Sequence, residues 1–398
     1  MDVAREAIVS AGRAMIRYDK RVRGVRGNSN NAIQRGRDSA EGARNMRGWI
    51  GRAAKGVWGA LAVAAVLALA LGGCGQPSGA DAYGGSLNHV HDLVALRGMP
   101  RTVLLATHFG LYRTSDGGAH WTEVGGGSGQ AMDGLMLYKI SQSPTDPMRI
   151  YLLAIPRTGR PQDAKATTGV YTSADAGKTW QLAAPVSSFP SGTVFTVGAG
   201  SASAGQVFAL IPALAEKGLF ASDDFGKTWR QLPQLPDSHP TGITGDPNHP
   251  GRMILWSAST GLYTSDDQGQ SWQAAAGTEH GIFSLAIAGT TIYASGADGA
   301  FVSTDDGATY TLVDKTFTFS SIAASPATPA TAYALVGTAV YRATDTGKTW
   351  TQAAATSSHP GNITVDPNDA RTAYVSFSYP IGVQVTHDGG AHWTTLLP

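Results

Sequence analysis

From about residue 88 onward the chain reads as short β-branched and aromatic runs that alternate with polar residues and are cut by Gly, Asp and Ser. The stretch TIYASGADGAFVSTDDGATYTLV (291–313) is representative. Its period of two predicts half-buried strands, and its breakers predict tight hairpins between them. One segment departs from this pattern. Residues 57–73, VWGALAVAAVLALALGG, are apolar without alternation and follow Arg47, Arg52 and Lys55.

One of the hairpin sequences recurs along the chain. TSDGGAHW (114–121) is followed by TSADAGKTW, ASDDFGKTW, TSDDQGQSW, VSTDDGATY, ATDTGKTW and VTHDGGAHW. The shared Asp falls at Asp116, Asp175, Asp224, Asp267, Asp305, Asp345 and Asp388, with spacings of 59, 49, 43, 38, 40 and 43 residues. Such a period is too long for one hairpin and suits a unit of four strands, a to d in chain order, with the motif as its c–d turn. In that turn Asp accepts backbone N–H groups, Gly takes a positive φ and Ser or Thr closes the loop. The aromatic residue that follows, Trp121, Trp180, Trp229, Trp272, Tyr310, Trp350 or Trp393, opens the next strand and packs its ring between sheets.

The motif S/T-x-D-x-G-x-T/S-W resembles the Asp-box, or BNR, repeat, and the resemblance covers residues 86–398. Departures are Ala343 for the hydroxyl residue, Tyr310 for Trp, and His120 and His392 for Thr. Sialidases, sortilin-type receptors, xyloglucan-cleaving glycosidases and photosystem II assembly factors share this repeat. The resemblance implies an all-β fold, a seven-bladed propeller of four-stranded antiparallel blades, in which the boxes are scaffold. It also implies that ligands bind on the opposite face, formed by the loops that join strand d to the next strand a and strand b to strand c.

Charge is unevenly distributed. Residues 1–73 hold 13 of the 30 Lys and Arg but 5 of the 29 Asp and Glu, so the remainder is acidic by seven charges. That balance argues against a nucleic-acid partner. The basic stretch and apolar run have the form of an export signal, and Leu71-Gly72-Gly73-Cys74 resembles a bacterial lipobox. Cys74, the only cysteine, is the expected lipidation site, with an uncleaved membrane anchor or a buried chance cysteine as the alternative. The expected divisions are a basic extension (1–45), a signal peptide (46–73) opening at Met46, a linker (74–85) and the propeller (86–398). An exported, membrane-anchored lipoprotein on the extracytoplasmic side follows, expected as a monomer with a glycan or protein ligand.

Candidate chemistry gathers on the face away from the boxes. SHPTGITGDP (238–247) and SHPGNITVDP (358–367) place His239 and His359 seven residues before an Asp-Pro pair. His89 falls in the same register, His280 is one residue off, and His91 and His108 belong to the same rim. His89 and His91 are two apart, and an antiparallel pairing returns His108 beside them. Such a cluster could hold a divalent metal or serve acid–base chemistry; equally, the histidines could cap the starts of strands. No cofactor is required by any other motif. Arg157, Arg160 and Tyr379 are loop partners on this face.

A sialidase resemblance implies three arginines from different blades. Here Arg97, Arg101, Arg149, Arg252 and Arg371 flank the a–b turns on the other face, and the Phe-Arg-Ile-Pro signature is missing. A glycosidase needs two carboxylates about 5–9.5 Å apart, and Asp92, Asp133, Glu216, Glu279 and Asp298 show no marked pair. The reading is a binding or scaffold module, with a glycoside hydrolase as the alternative and no catalytic residue assigned.

Overall fold

The computed structural model describes residues 88–190, 193–211, 217–237, 240–278, 281–356, 360–378 and 381–396. Cys74, the divisions proposed before residue 86, and His239, His280, His359, Tyr379, Glu216 and Glu279 lie outside the described residues. Twenty-eight strands form seven antiparallel sheets of four, each from one contiguous stretch of chain. Blade 1 comprises β1 (Val90–Ala95), β2 (Val103–Thr107), β3 (Leu111–Thr114) and β4 (Thr122–Gly125). Blade 2 comprises β5 (Leu135–Gln142), β6 (Ile150–Pro156), β7 (Gly169–Ser173) and β8 (Gln181–Pro185). Blades 3 to 7 span 196–231, 240–274, 282–314, 321–355 and 360–396. This is the seven-bladed β-propeller that the Asp-box resemblance implies, built of the four-stranded units that the repeat spacing predicts. Among the described residues no helix is long and apolar enough to cross a membrane.

The ring closes by packing, without a strand shared between first and last blades. β1 touches β5 on one side and the first strand of blade 7 (Pro360–Asp366) on the other. At that seam the Ala95 N–H donates to Thr364 Oγ1 (3.2 Å) and the Arg101 N–H to Asp366 Oδ2 (3.2 Å). Apolar burial is divided among the blade interfaces, each closed by one box aromatic. Trp121 packs with Tyr374 and Val383 between blades 7 and 1, Trp180 with Leu104 and Leu152 between 1 and 2, and Trp229 with Tyr151 and Val207 between 2 and 3. Trp272, Tyr310, Trp350 and Trp393 do the same around the rest of the ring. Buried tyrosines add polar ties: Tyr151, Tyr293 and Tyr333 donate their hydroxyls to Ala204, Pro329 and Ala370 carbonyls of the next blade.

Each box is a local hydrogen-bond circuit. In the second, Ser173 Oγ donates to Asp175 Oδ1 (2.8 Å) and accepts the Gly177 N–H (2.8 Å). Asp175 Oδ1 also accepts the Thr179 N–H (2.9 Å), and Oδ2 accepts its hydroxyl (2.6 Å). Where His replaces Thr the circuit survives, because His120 Nδ1 lies 2.7 Å from Asp116 Oδ2 and His392 Nδ1 2.6 Å from Asp388 Oδ2. These bonds hold the box carboxyls below the usual range, at about 2 for Asp224, Asp267 and Asp305.

The residue after each box Asp has positive φ, including Ala176, Phe225, Gln268, Asp306 and Thr346. In that conformation its N–H turns back to the a–b turn of the same blade, as in Ala176 to Met148 O (2.9 Å) and Thr346 to Ala330 O (3.0 Å). The same tie recurs in all seven blades, so the unfavourable backbone is what fastens the two hairpins of each blade together.

Candidate functional site

Strand direction sorts the loops. The segment before β1 and the loop from β2 to β3 (108–110) share the face opposite the boxes, so His89, His91 and His108 meet there. Val90 pairs with Thr107 and Asp92 with Ala106, which leaves His91 as the extra residue of a β-bulge. A bulge breaks strict alternation and re-aims the side chain it carries. Here the His89 and His91 rings lie 4.5 Å apart, His89 and His108 4.8 Å, and His91 and His108 5.9 Å. The ligand nitrogens of the three all lie within 4.8 Å of one another.

The backbone around the cluster is fixed from several sides. The His108 N–H donates to the His89 carbonyl (3.0 Å), and Asn362 of blade 7 donates its amide to the His91 carbonyl (3.0 Å). Thr107 Oγ1 ties the turn by donating to Gly110 O (2.9 Å) and accepting the Gly110 N–H (3.0 Å). A Cβ at Gly110 would meet Glu123 Oε1 at 2.7 Å, so the Glu123 carboxylate lies close over this loop. Tyr138, itself the bulged residue of β5, places its ring 5.4 Å from His91.

The electrostatics keep His91 and His108 uncharged. His108 is 4% exposed. Burial, the neighbouring His89 and the guanidinium groups of Arg157 and Arg160 push it down to about 4. His91 is pushed well below the ordinary histidine value, first by burial and then by its two neighbours. His91 Nε2 and His108 Nδ1 are buried without a hydrogen-bond partner, and a buried polar atom in that condition is costly. Neutral imidazoles with open lone pairs can coordinate a metal or accept a ligand proton.

The other predicted rim residues take different roles. Arg157 donates to Phe109 O (3.1 Å) and Gly126 O (3.2 Å) and lies over the Phe109 ring at 4.8 Å, bridging blades 1 and 2. Arg160 stands 6.0 Å from the same ring and 3.7 Å from Asp163. Asp92 turns away from the histidines: it accepts the Leu93 and Ile140 N–H groups and pairs with Lys139 Nζ at 3.0 Å. Asp133 accepts the Gly129 N–H (2.8 Å) within its own loop.

On the opposite face lies a group that the sequence did not single out. Buried Asp246, exposed His249 and half-buried Arg252 and Asp306 join blades 4 and 5, with His249 Nε2 3.0 Å from Asp306 and Arg252 3.3 Å from Asp246. The guanidinium already supplies the positive charge that the two carboxylates require. Its only sequence signal is a charged residue, Asp306, in the slot that Gly117 and Gly389 occupy in other boxes.

Family models of the BNR-Asp box repeat match residues 219–232 and of the BNR/Asp-box repeat residues 263–274, the box hairpins of blades 3 and 4. The chain is a seven-bladed β-propeller that carries Asp-box repeats. Among curated proteins none matches it. Of solved structures, YCF48 from Cyanidioschyzon merolae is 16% identical over 78% of this propeller chain and 97% of its own, with a TM-score of 0.55. YCF48 bound to D1 peptide is 14% identical over 66% and 81%, with a TM-score of 0.49. The GH74 xyloglucanase from Xanthomonas campestris is 18% identical over 80% of this chain and 46% of that enzyme, with a TM-score of 0.43. At these identities the likeness to the first shows a common fold, and the propeller's function has to be argued from its own residues.

Proposed function

We propose that this propeller is an exported, lipid-anchored binding or scaffold module that holds a protein or glycan ligand on the His-bearing face. One observation carries the reading: that face presents His91 and His108 with buried ring nitrogens lacking partners. Polar atoms in that state gain from a ligand that completes them. By contrast, the box circuits on the other face satisfy their Asp oxygens internally. The frame is rigid, and the d–a and b–c loops supply the contacts. A glycoside hydrolase on the same face would need two facing carboxylates, whereas Asp92 is committed to Lys139 and Ile140 and Asp133 to its own loop.

The test is a thermal-shift screen of the full chain, wild type and His91→Ala/His108→Ala, against cell-surface glycans and peptides, with reducing-end release measured in parallel. A ligand that raises the midpoint of the wild type alone, without glycan cleavage, supports the reading. Cleavage of a glycan, or equal response of both proteins, overturns it.

A further inference from the structure

We propose that His89, His91 and His108 form a three-imidazole site for a late first-row transition ion, Zn(II) foremost, with an exchangeable fourth position for a donor atom of the bound ligand. The inference rests on the reading of this face as the binding face and names what the cluster itself contributes. Three observations support it, and each weighs against a purely structural set of strand caps.

The first is convergence. Two residues flanking Val90 and one from the end of β2 bring three ring nitrogens within 4.8 Å of one another, and the bulge at His91 is what admits the middle one. A tetrahedral zinc–imidazole site has metal–nitrogen distances of about 2.0–2.1 Å, hence nitrogens about 3.3 Å apart. Starting from the observed spread, each nitrogen moves inward by under about 1 Å, which small side-chain rotations supply.

The second is the unmet valence. A capping histidine is held by a hydrogen bond, yet buried His108 Nδ1 and His91 Nε2 have none, and His108 is 4% exposed. Their backbones are nevertheless pinned, through His89 O and through Asn362 of blade 7. Rigid backbone with unpaired ring nitrogens at His91 and His108 is the arrangement that a ligand set requires.

The third is the donor type. Asp92, the nearest acid in sequence, is turned onto Lys139 and Ile140. An all-imidazole set selects zinc, copper or nickel over magnesium or calcium, which take oxygen ligands. Three protein ligands with one open position are the usual composition of a site that binds an outside group. The second cluster, Asp246, His249 and Asp306, fails this comparison because Arg252 already lies within 3.4 Å of both carboxylates.

The experiment uses the full chain without a polyhistidine tag, stripped with EDTA and titrated with ZnCl2 by calorimetry, with the metal content of dialysed protein as a second measure. One equivalent is expected for wild type and for His249→Phe. At least tenfold weaker binding is expected for His91→Phe and for His108→Phe, with near-wild-type thermal midpoints in EDTA. Should a variant fail to fold, Co(II) substitution of the wild type gives an independent readout: intense visible bands of a four- or five-coordinate nitrogen site are expected. Absence of zinc binding by wild type, weak octahedral-type Co(II) bands, or zinc retained by His89→Phe/His91→Phe/His108→Phe overturns the site. Repeating the ligand screen in EDTA separates the two readings. Ligand binding that persists there without dependence on zinc refutes the metal and leaves the binding face standing; a zinc site with no responding ligand refutes the face as a ligand platform.

Discussion

Burial of neutral His91 and His108 makes the propeller's stability depend on pH in a window of its own. His108 is held at about 4, against about 6.5 in an unfolded chain. The folded value is the lower one, so the contribution is complete above about pH 6.5 and is lost as pH falls toward 4. At about 1.4 kcal/mol per pH unit, His108 alone withdraws about 2–3 kcal/mol between pH 7 and 4.5. For a domain of this size that is about 2 °C of melting temperature per kcal/mol, or about 5 °C in all. His91 acts in the same direction. The box carboxylates titrate later: with folded values of about 2 for Asp224, Asp267 and Asp305, their stabilisation is lost only between about pH 4 and 2. Scanning calorimetry of metal-free protein from pH 7 to 4.5 therefore isolates the histidines. His108→Phe retains a ring and removes the titrating group, so its melting temperature should fall less steeply than that of wild type by about 5 °C over the window. Parallel curves for the two proteins would refute the assignment of buried, neutral imidazoles.

Three further predictions concern the frame. Tyr333→Phe deletes the interblade bond to Ala370 O (3.0 Å) and should cost about 1 kcal/mol in denaturant unfolding. Tyr374→Phe should be neutral or stabilising, because its buried hydroxyl has no partner. Thr346 is a β-branched residue at φ +62°; Thr346→Asn, which tolerates that region and keeps the N–H bond to Ala330 O, should raise stability by about 0.5–1 kcal/mol in the same assay.

The scaffold was readable in the sequence because its signal is local. The Ser and Asp side-chain bonds that close the second box join residues four or fewer apart, from Ser173 to Thr179, so the motif is written contiguously and its period counts the blades. The positive φ after each Asp was less visible, since Phe225, Gln268 and Thr346 give no hint of it; it is imposed by the bond to the a–b turn. For the histidines, antiparallel pairing placed His108 near His89, but the bulge that re-aims His91 depends on register, which composition does not encode. Arg157 illustrates a similar gap. Its loop and face could be read from the chain, whereas its commitment to Phe109 O and Gly126 O depends on the approach of two blades. The Asp246–His249–Arg252–Asp306 network escaped notice for the same reason, as its members come from neighbouring blades.

Because each blade is one contiguous stretch, the ring opens with Asn88 and β1 among the described residues, on the face and in the blade that carry the histidines. Thirteen residues lie between Cys74 and Asn88, a leash of at most about 50 Å when fully extended. With a lipid on Cys74, as the sequence leads one to expect, the histidine cluster would stay within that distance of the bilayer. Partners would then be drawn from molecules at the same membrane, and confinement would raise their effective concentration toward the millimolar range. A weak intrinsic affinity would suffice for a ligand that is also held there.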